Sequence, residues 1–239
     1  MSTVAVGDIH GRSDLLAPLL EALREELAAD DVLVFLGDYV DRGPDVKGCL
    51  ELLAQWRAAP PCATHFLRGN HEDWLLRSRS DPTTHSWVLG MDGLSTVRSY
   101  DAGVAEELRA ELASQGQRLL LEKTPISYER FFSLLPASHL ELLDALELAV
   151  ETPDAVCAHA GYDASRSAAE QDPQVALWGP GFPEAYDPGE GGKPLIYGHH
   201  ADATPAGPRV VGRAHGIDAV AEGALLALRL PEGRWISSP

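Results

Sequence analysis

The sequence predicts an α/β fold built on parallel strands with crossover helices, and three observations predict it. Short apolar runs alternate with stretches of helical periodicity over residues 1 to 70. Mostly helical sequence follows to about residue 148, after which short apolar runs return. With 239 residues, 45% of them hydrophobic, the chain can bury a sizeable core. We expect one domain over 1–239 with a helical insertion at about 73–148.

Each element has its own signal. "TVAV" at 3–6 reads as a short buried strand. "SDLLAPLLEALREEL" reads as a helix with Leu15, Leu19, Leu23 and Leu27 on one face and Ser13 or Asp14 as its cap. "VLVFL" is a second buried strand, "VKGCLELLAQWRAA" a second helix, and "ATHFLRGN" a third strand stopped by Gly69. That alternation implies parallel pairing. "DWLLRSR", "VAEELRAELASQG", "TPISYERFFSLLP" and "HLELLDALEL" supply helices of the insertion, the third with Thr124 as cap and Pro125 in its first turn. Strands return with "DAVCAHAG", "PLIYGHH", "RVVGRAHGID" and "ALLALRL", and a turn at Glu232 and Gly233 leads into "RWIS". The stretch "GPGFPEAYDPGEGGKP" at 179–194 holds too much Gly and Pro for helix or strand. It reads as a mobile lid that presents Tyr186, Asp187 and Glu190 to a substrate, the alternative being a disordered surface connection away from the site.

Charge excludes several functions. There are 36 acidic and 19 basic residues, a formal net charge of -17. Nucleic acid and anionic membranes would repel such a chain, so any phosphate must be captured by a local device. The opening "MSTVAVGDIHG" has no basic leader before an apolar core, and no later apolar run is of bilayer length. The expectation is a cytoplasmic protein with neither nucleic-acid nor membrane partner. Cys49, Cys62 and Cys157 are far apart in apolar contexts and read as small buried residues rather than as a disulfide or thiolate metal site.

Polar residues gather at the ends of the predicted strands. The first ends in "GDIHG" with Asp8 and His10, the second in "GDYVDRG" with Asp38, Asp41 and Arg42, the third in "RGNHED" with Asn70 and His71. Later strands end in "CAHAG" with His159 and "YGHH" with His199 and His200. Carboxyl ends of parallel strands face one crevice, so these residues should converge although they are scattered in sequence. Oxygen and imidazole donors without thiolate select Mn, Fe, Zn or Mg. The donors suffice for two ions if one carboxylate is shared, and such a pair suits displacement at a phosphoryl group. Gly7, Gly11, Gly37, Gly43 and Gly69 would allow sharp turns of positive φ and close backbone approach to the ions.

"GDIHG", "GDYVDRG" and "GNHE", about 25 residues apart and followed by "HAG" and "GH", resemble the motifs of the calcineurin-like metallophosphoesterases. The wording of the second is that of the phosphoprotein phosphatase branch with its bacterial and phage serine/threonine phosphatases. The resemblance is strong over about 3–72, looser over 131–230 and weakest over 73–130. It implies a four-layer αββα arrangement, a β-sandwich flanked by helices, and two divalent ions with Mn foremost. Asp8, His10 and a bridging Asp38 would hold the first ion, and Asp38, Asn70, His159 and His199 the second. Arg42 would clamp phosphoryl oxygens, and His71, oriented by Asp41, would protonate the leaving group.

Other readings stand beside these. A lone DRG turn is most often a capped loop with a surface salt bridge, but its neighbours here favour chemistry. His200 and His215 read as hydrogen-bonded neighbours rather than ligands. His65, His85 and His139 read as surface or core-edge residues, and Trp56, Trp74 and Trp87 as packing residues. The chain departs from the phage-related pattern at "LWGPGFP", where Gly179 and Pro180 stand in place of a second phosphate-binding Arg. Arg166, Arg209 or Arg213 could substitute. The implied substrate is a phosphorylated protein or small phosphoester, phosphoserine or phosphothreonine foremost. A dinucleoside tetraphosphate is the alternative, because "GIDAVAEGALLALRL" resembles that sister group. A non-catalytic metal-binding scaffold is a third reading, disfavoured because a scaffold needs neither His71 nor an Asp41 to orient it.

Overall fold

The computed structural model describes residues 1–238, the side chain of Leu120 excepted. Its strands are β1 (Thr3–Val6), β2 (Val32–Phe35), β3 (Ala63–Phe66), β4 (Ala149–Glu151), β5 (Val156–Ala158), β6 (Leu195–Tyr197), β7 (Arg209–Val211), β8 (Ala214–Gly216), β9 (Leu226–Leu230) and β10 (Arg234–Ser237). Its helices are α1 (Ser13–Glu26), α2 (Val46–Ala58), α3 (Asn70–Ser80), α4 (Ser86–Gly90), α5 (Gly93–Tyr100), α6 (Ala102–Gln115), α7 (Arg118–Leu121), α8 (Glu129–Phe132), α9 (Ala137–Asp144) and α10 (Pro173–Trp178).

The strands form two five-stranded sheets, of order β10-β9-β1-β2-β3 and β4-β5-β6-β8-β7. The parallel pairing inferred from the sequence joins β1 with β2 and β2 with β3 along one side of the first sheet, and β5 with β6 and β6 with β8 are parallel at the centre of the second. Antiparallel strands complete both sheets, β9 and β10 in the first and β4 and β7 in the second.

Side-chain alternation assembles the layers. Val4 and Val6 of β1 and Leu33 and Phe35 of β2 join the core under α1 and α2, while Ala5, Val34 and Leu36 point the other way, into a core shared with Cys157 and Ile196 of the second sheet. The outer face of that sheet presents Val156, Ala158, Leu195 and Tyr197, covered by Tyr162, Phe182, Tyr186 and a 3-10 turn at Ala168–Glu170. Two sheets packed face to face and flanked by helices follow directly from this pattern. The three cysteines are free and buried, as expected. Among the described residues no helix is long and apolar enough to cross a membrane.

Several local expectations are corrected. Neither Ser13 nor Asp14 caps α1, because Ser13 Oγ donates to Asp45 at 2.5 Å and Asp14 is held by the Arg12 guanidinium at 2.7 and 2.8 Å. "RVVGRAHGID" is two strands, folded back at Gly212 (φ 58°). No helix starts at Thr124: its carbonyl accepts from His85 Nε2 at 2.8 Å and Ile126 N donates to Pro82 O at 3.0 Å, so the stretch straps the helical segment and α8 begins only at Glu129. The 179–194 loop is irregular, as expected, but Tyr186 is buried and its hydroxyl donates to Lys193 O at 2.7 Å. It therefore anchors the loop and does not face a substrate.

Candidate functional site

The ends of β1 and β2 are locked to each other before any side chain contributes. Ile9 N and His10 N both donate to Asp38 O, at 3.0 and 2.8 Å, and Gly11 N donates to Tyr39 O at 3.0 Å. These turns are held in an unusual backbone region: His10, Asp38, Asp41, Arg42 and, on the other sheet, His199 all have positive φ, between 43° and 68°. For non-glycine residues this is strained, and such strain concentrates where surroundings fix a side chain for function. Of the motif glycines, Gly11 and Gly37 have positive φ; Gly69 does not, and its constraint is space, since a Cβ would fall 2.0 Å from Asp38 Oδ1.

Glu72, in the first turn of α3, ties the third strand end to the second. Its carboxylate accepts four backbone N–H groups, from Asp38 at 2.9 Å, Tyr39 at 2.8 Å, Val40 at 3.1 Å and Gly69 at 3.0 Å. Burial, then Asp38, raise its pKa, and those donors oppose the rise.

One group of donors surrounds Asp38 on the β1 side. His10 Nδ1–H donates to Val40 O at 2.9 Å, which leaves Nε2 with a free lone pair 3.4 Å from Asp38 Oδ2. The Arg42 guanidinium, largely exposed, donates into that lone pair at 2.9 Å. His71 Nε2, 3.9 Å from Asp38 Oδ2, is buried with no hydrogen-bond partner. Asp8 reaches the same crevice from β1, its two oxygens each 3.1 Å from His199 N. His10, Asp38 and His71 form one grouping close enough to hold a cation; Asp8 is not within it.

A second group lies toward the other sheet. His159 Nδ1–H donates to Leu36 O at 3.0 Å across the sheet junction, so its Nε2 lone pair points at Asn70 Oδ1 (2.9 Å) and Asp38 Oδ1 (3.5 Å). His199 Nδ1 is also 3.0 Å from Asn70 Oδ1. Burial pushes the His159 pKa down to about 3, and burial with His159 nearby takes His199 to about 2, so both imidazoles are neutral. The His159 Nε2 lone pair thus faces the lone pairs of two oxygens, a repulsion that a cation between them would relieve. Asp38, His159 and His199 can provide one ligand atom each to such a cation. Burial also raises the pKa of Asp8, as do Asp218 and Asp38 beside it, a crowding of carboxylates that a divalent ion would relieve.

Behind His71 stands Asp41, fully buried. It takes the His71 Nδ1–H at 2.8 Å, the Thr96 hydroxyl at 2.5 Å and the Trp87 indole N–H at 3.0 Å. Burial raises the Asp41 pKa, and the Thr96 and Trp87 bonds oppose that. His71 is thereby fixed with Nε2 toward Asp38, and burial lowers its pKa while Asp38 raises it.

The structure thus brings Asp8, His10, Asp38, Asn70, His71, His159 and His199 to one crevice, with Asp41 behind and Arg42 at the edge. His200 is a neighbour: its Nε2–H donates to Ala160 O at 3.3 Å. His215 lines a separate cavity with Trp235. His85 and His139 are buried in polar contacts rather than at a core edge, His85 with Tyr128 and Thr124, His139 with Tyr100 and Glu51. Arg209 is committed to Glu184 and Asp202, and Arg166 to Asp163. Sequence reasoning missed four functional side chains. Asp218 ends the strand run "RAHGID", so the strand-end rule applied once more would have found it. Glu72, Trp87 and Thr96 act on residues brought near only by folding, and Trp87 adds a hydrogen bond to the packing role expected of it.

Residues 1–223 match the family described as calcineurin-like phosphoesterase. The serine/threonine-protein phosphatase 1 of Salmonella typhimurium is 38% identical over 105 residues, 43% of this chain and 45% of that protein. The asymmetrical bis(5'-nucleosyl)-tetraphosphatase of Bacillus velezensis is 28% identical over 256 residues, 97% of this chain and 90% of that protein. A crystal structure described as a candidate diadenosine tetraphosphatase superposes with TM-score 0.59 at 21% identity, covering 100% of this chain and 93% of the other, a likeness of fold.

Proposed function

The chain belongs to the calcineurin-like phosphoesterase family, whose activity is metal-dependent hydrolysis, and we propose that its strand-end crevice cleaves a phosphoester by attack of water. The observation that carries this is the convergence of three imidazole Nε2 atoms, those of His10, His71 and His159, on the two oxygens of the buried Asp38. Asp8, His10 and Asp38 would hold one divalent ion and Asp38, Asn70, His159 and His199 a second, Mn foremost, with Fe, Zn or Mg suited to the same donors. When bound, such a pair activates water and neutralises phosphoryl charge.

The chain's own groups do the rest. Arg42 stands exposed at the crevice edge, where its planar fork can take two phosphoryl oxygens. A water oxygen gives up a proton to solvent and bonds to phosphorus, the bond from phosphorus to the leaving oxygen breaks, and that oxygen takes a proton. His71 in its protonated form gives it from Nε2, since Nδ1–H is committed to Asp41, and takes a proton back from solvent after turnover. Two substrate classes are supported, phosphoserine or phosphothreonine in proteins by the wording of "GDYVDRG" and the protein phosphatase relative, a dinucleoside tetraphosphate by a likeness over 97% of the chain. Protein stripped by chelator and refilled with each cation should hydrolyse a phosphoserine peptide or diadenosine tetraphosphate only when refilled; equal turnover after stripping would reject the proposal.

A further inference from the structure

A cavity of about 610 Å³ opens beside the crevice and is used by none of the groups above. That volume is in the range of small-molecule sites. Its walls come from four separate stretches: α3, the segment around α4, the region of α7, and Trp178 at the end of α10. Two contacts join it to the crevice. Met91, in its wall, has Sδ 3.8 Å from Asn70 Nδ2, and the Trp178 ring lies 5.8 Å from that of His199. The cavity then runs along α3, from Trp74, one turn beyond Asn70, to Asp81 past the helix end. At helical rise those two positions are on the order of 10 Å apart.

Much of the lining is aromatic and soft. Trp74, Trp178, Met91, Leu119 and Leu89 supply it. Arg77 covers one face of the Trp74 ring at 5.0 Å and stiffens its position. His85 is wall rather than ligand, since both its nitrogens are already bonded. Lys123 also lines the cavity, a cation in a chain of net charge -17.

We propose that this cavity binds the base of a nucleotide substrate whose phosphoryl group sits in the crevice, an inference that rests on the hydrolase reading and names its substrate class. Two tryptophans and a thioether suit the faces of a planar ring. A serine or threonine leaving group has no ring to offer. A phosphotyrosine ring, bonded directly to the phosphoryl oxygen, would fill only the mouth by Met91 and Trp178 and leave the stretch along α3 beyond Trp74 empty. A nucleoside, spaced from phosphorus by its sugar, reaches along α3.

The test compares kcat/KM for diadenosine tetraphosphate, a phosphoserine peptide and a phosphotyrosine peptide in the parent, Trp178→Leu and Trp74→Leu. Each substitution should lower the ratio of dinucleotide to phosphoserine kcat/KM roughly tenfold, chiefly through KM, the scale of one lost base–aromatic stack. An unchanged ratio in both variants, or a loss confined to the phosphotyrosine peptide, overturns the base site. Adenosine alone gives a readout independent of hydrolysis: it should quench tryptophan fluorescence saturably in the parent and less in Trp178→Leu. Absence of saturable quenching overturns the proposal whatever the turnover. A parent inactive on all three substrates that still binds adenosine would reject the hydrolase reading and support the base site.

Discussion

At the scale of single residues, two buried carboxylates do different work because different donors face them. Glu72 meets only backbone N–H groups, two on each oxygen, an arrangement that an ionised carboxylate satisfies and an amide does not. Glu72→Gln turns an NH₂ group toward N–H donors, so we expect a loss of about 1–3 kcal/mol in urea unfolding at pH 7. Metal affinity should fall with it, because Asp38 sits on the turn that Glu72 holds. An unchanged unfolding midpoint would mean that the turn is held by other contacts. Asp41 instead takes three side-chain donors and aims one of them, His71. If Nε2 of His71 delivers the proton, His71→Asn should depress kcat/KM on alkyl phosphates far more than on p-nitrophenyl phosphate, whose leaving group needs little protonation. Trp87→Phe keeps an aromatic ring but removes the N–H to Asp41, and should give a milder version of the same selectivity. Equal losses on both substrates would place His71 among the metal supports.

At the scale of elements, the sequence spelled out what local pattern controls and concealed what folding joins. The short apolar runs of β1, β2, β5 and β6 were legible because each ends in a motif whose polar residues cannot continue a buried strand. Asn70 and His71 were legible as site residues but not as the first turn of α3, since one "GNHE" both ends the strand and begins the helix. α4 and α5 carry no motif, and Trp87 and Thr96 reach an Asp41 that is 46 and 55 residues distant in sequence. Asp31 shows a similar long-range tie. It joins Ser2, Ala28 after α1, and Arg229 of β9, at 2.7, 3.0 and 2.9 Å. Burial would raise its pKa, but those partners outweigh it and hold the carboxyl below its usual range. A depressed folded pKa adds stability above the unfolded value, and that stability is lost as pH falls through the folded value. Arg229→Met should therefore cost about 1–3 kcal/mol at pH 7. Its deficit against the parent should narrow as pH falls from the ordinary carboxylate value, about 3.9, through the lower value that Asp31 has in the parent. Urea midpoints across that range check this; a deficit independent of pH would assign the loss to packing of the arginine stem.

At the scale of the molecule, the crevice lies where the carboxyl ends of two sheets meet. The first sheet and the start of α3 bring Asp8, His10, Asp38 and Asn70, and the second brings His159 and His199. Apart from the apolar core between the sheets, polar contacts such as that of His159 Nδ1 with Leu36 O and of His199 N with Asp8 span this junction. A cation taken up by ligands from both sheets binds only when the sheets are docked, so its binding free energy adds to the stability of the docked state. Excess Mn should therefore raise the melting temperature of chelator-stripped protein, by several degrees if the ion is held at about a hundred times its Kd. Asp38→Asn removes the one carboxylate common to both groupings. It should lower bound metal per chain well below the parent's and abolish most of the rise in melting temperature. An Asp38→Asn protein that retained two tightly bound ions and melted with the parent's dependence on Mn would show that each sheet binds its own cation without the shared ligand.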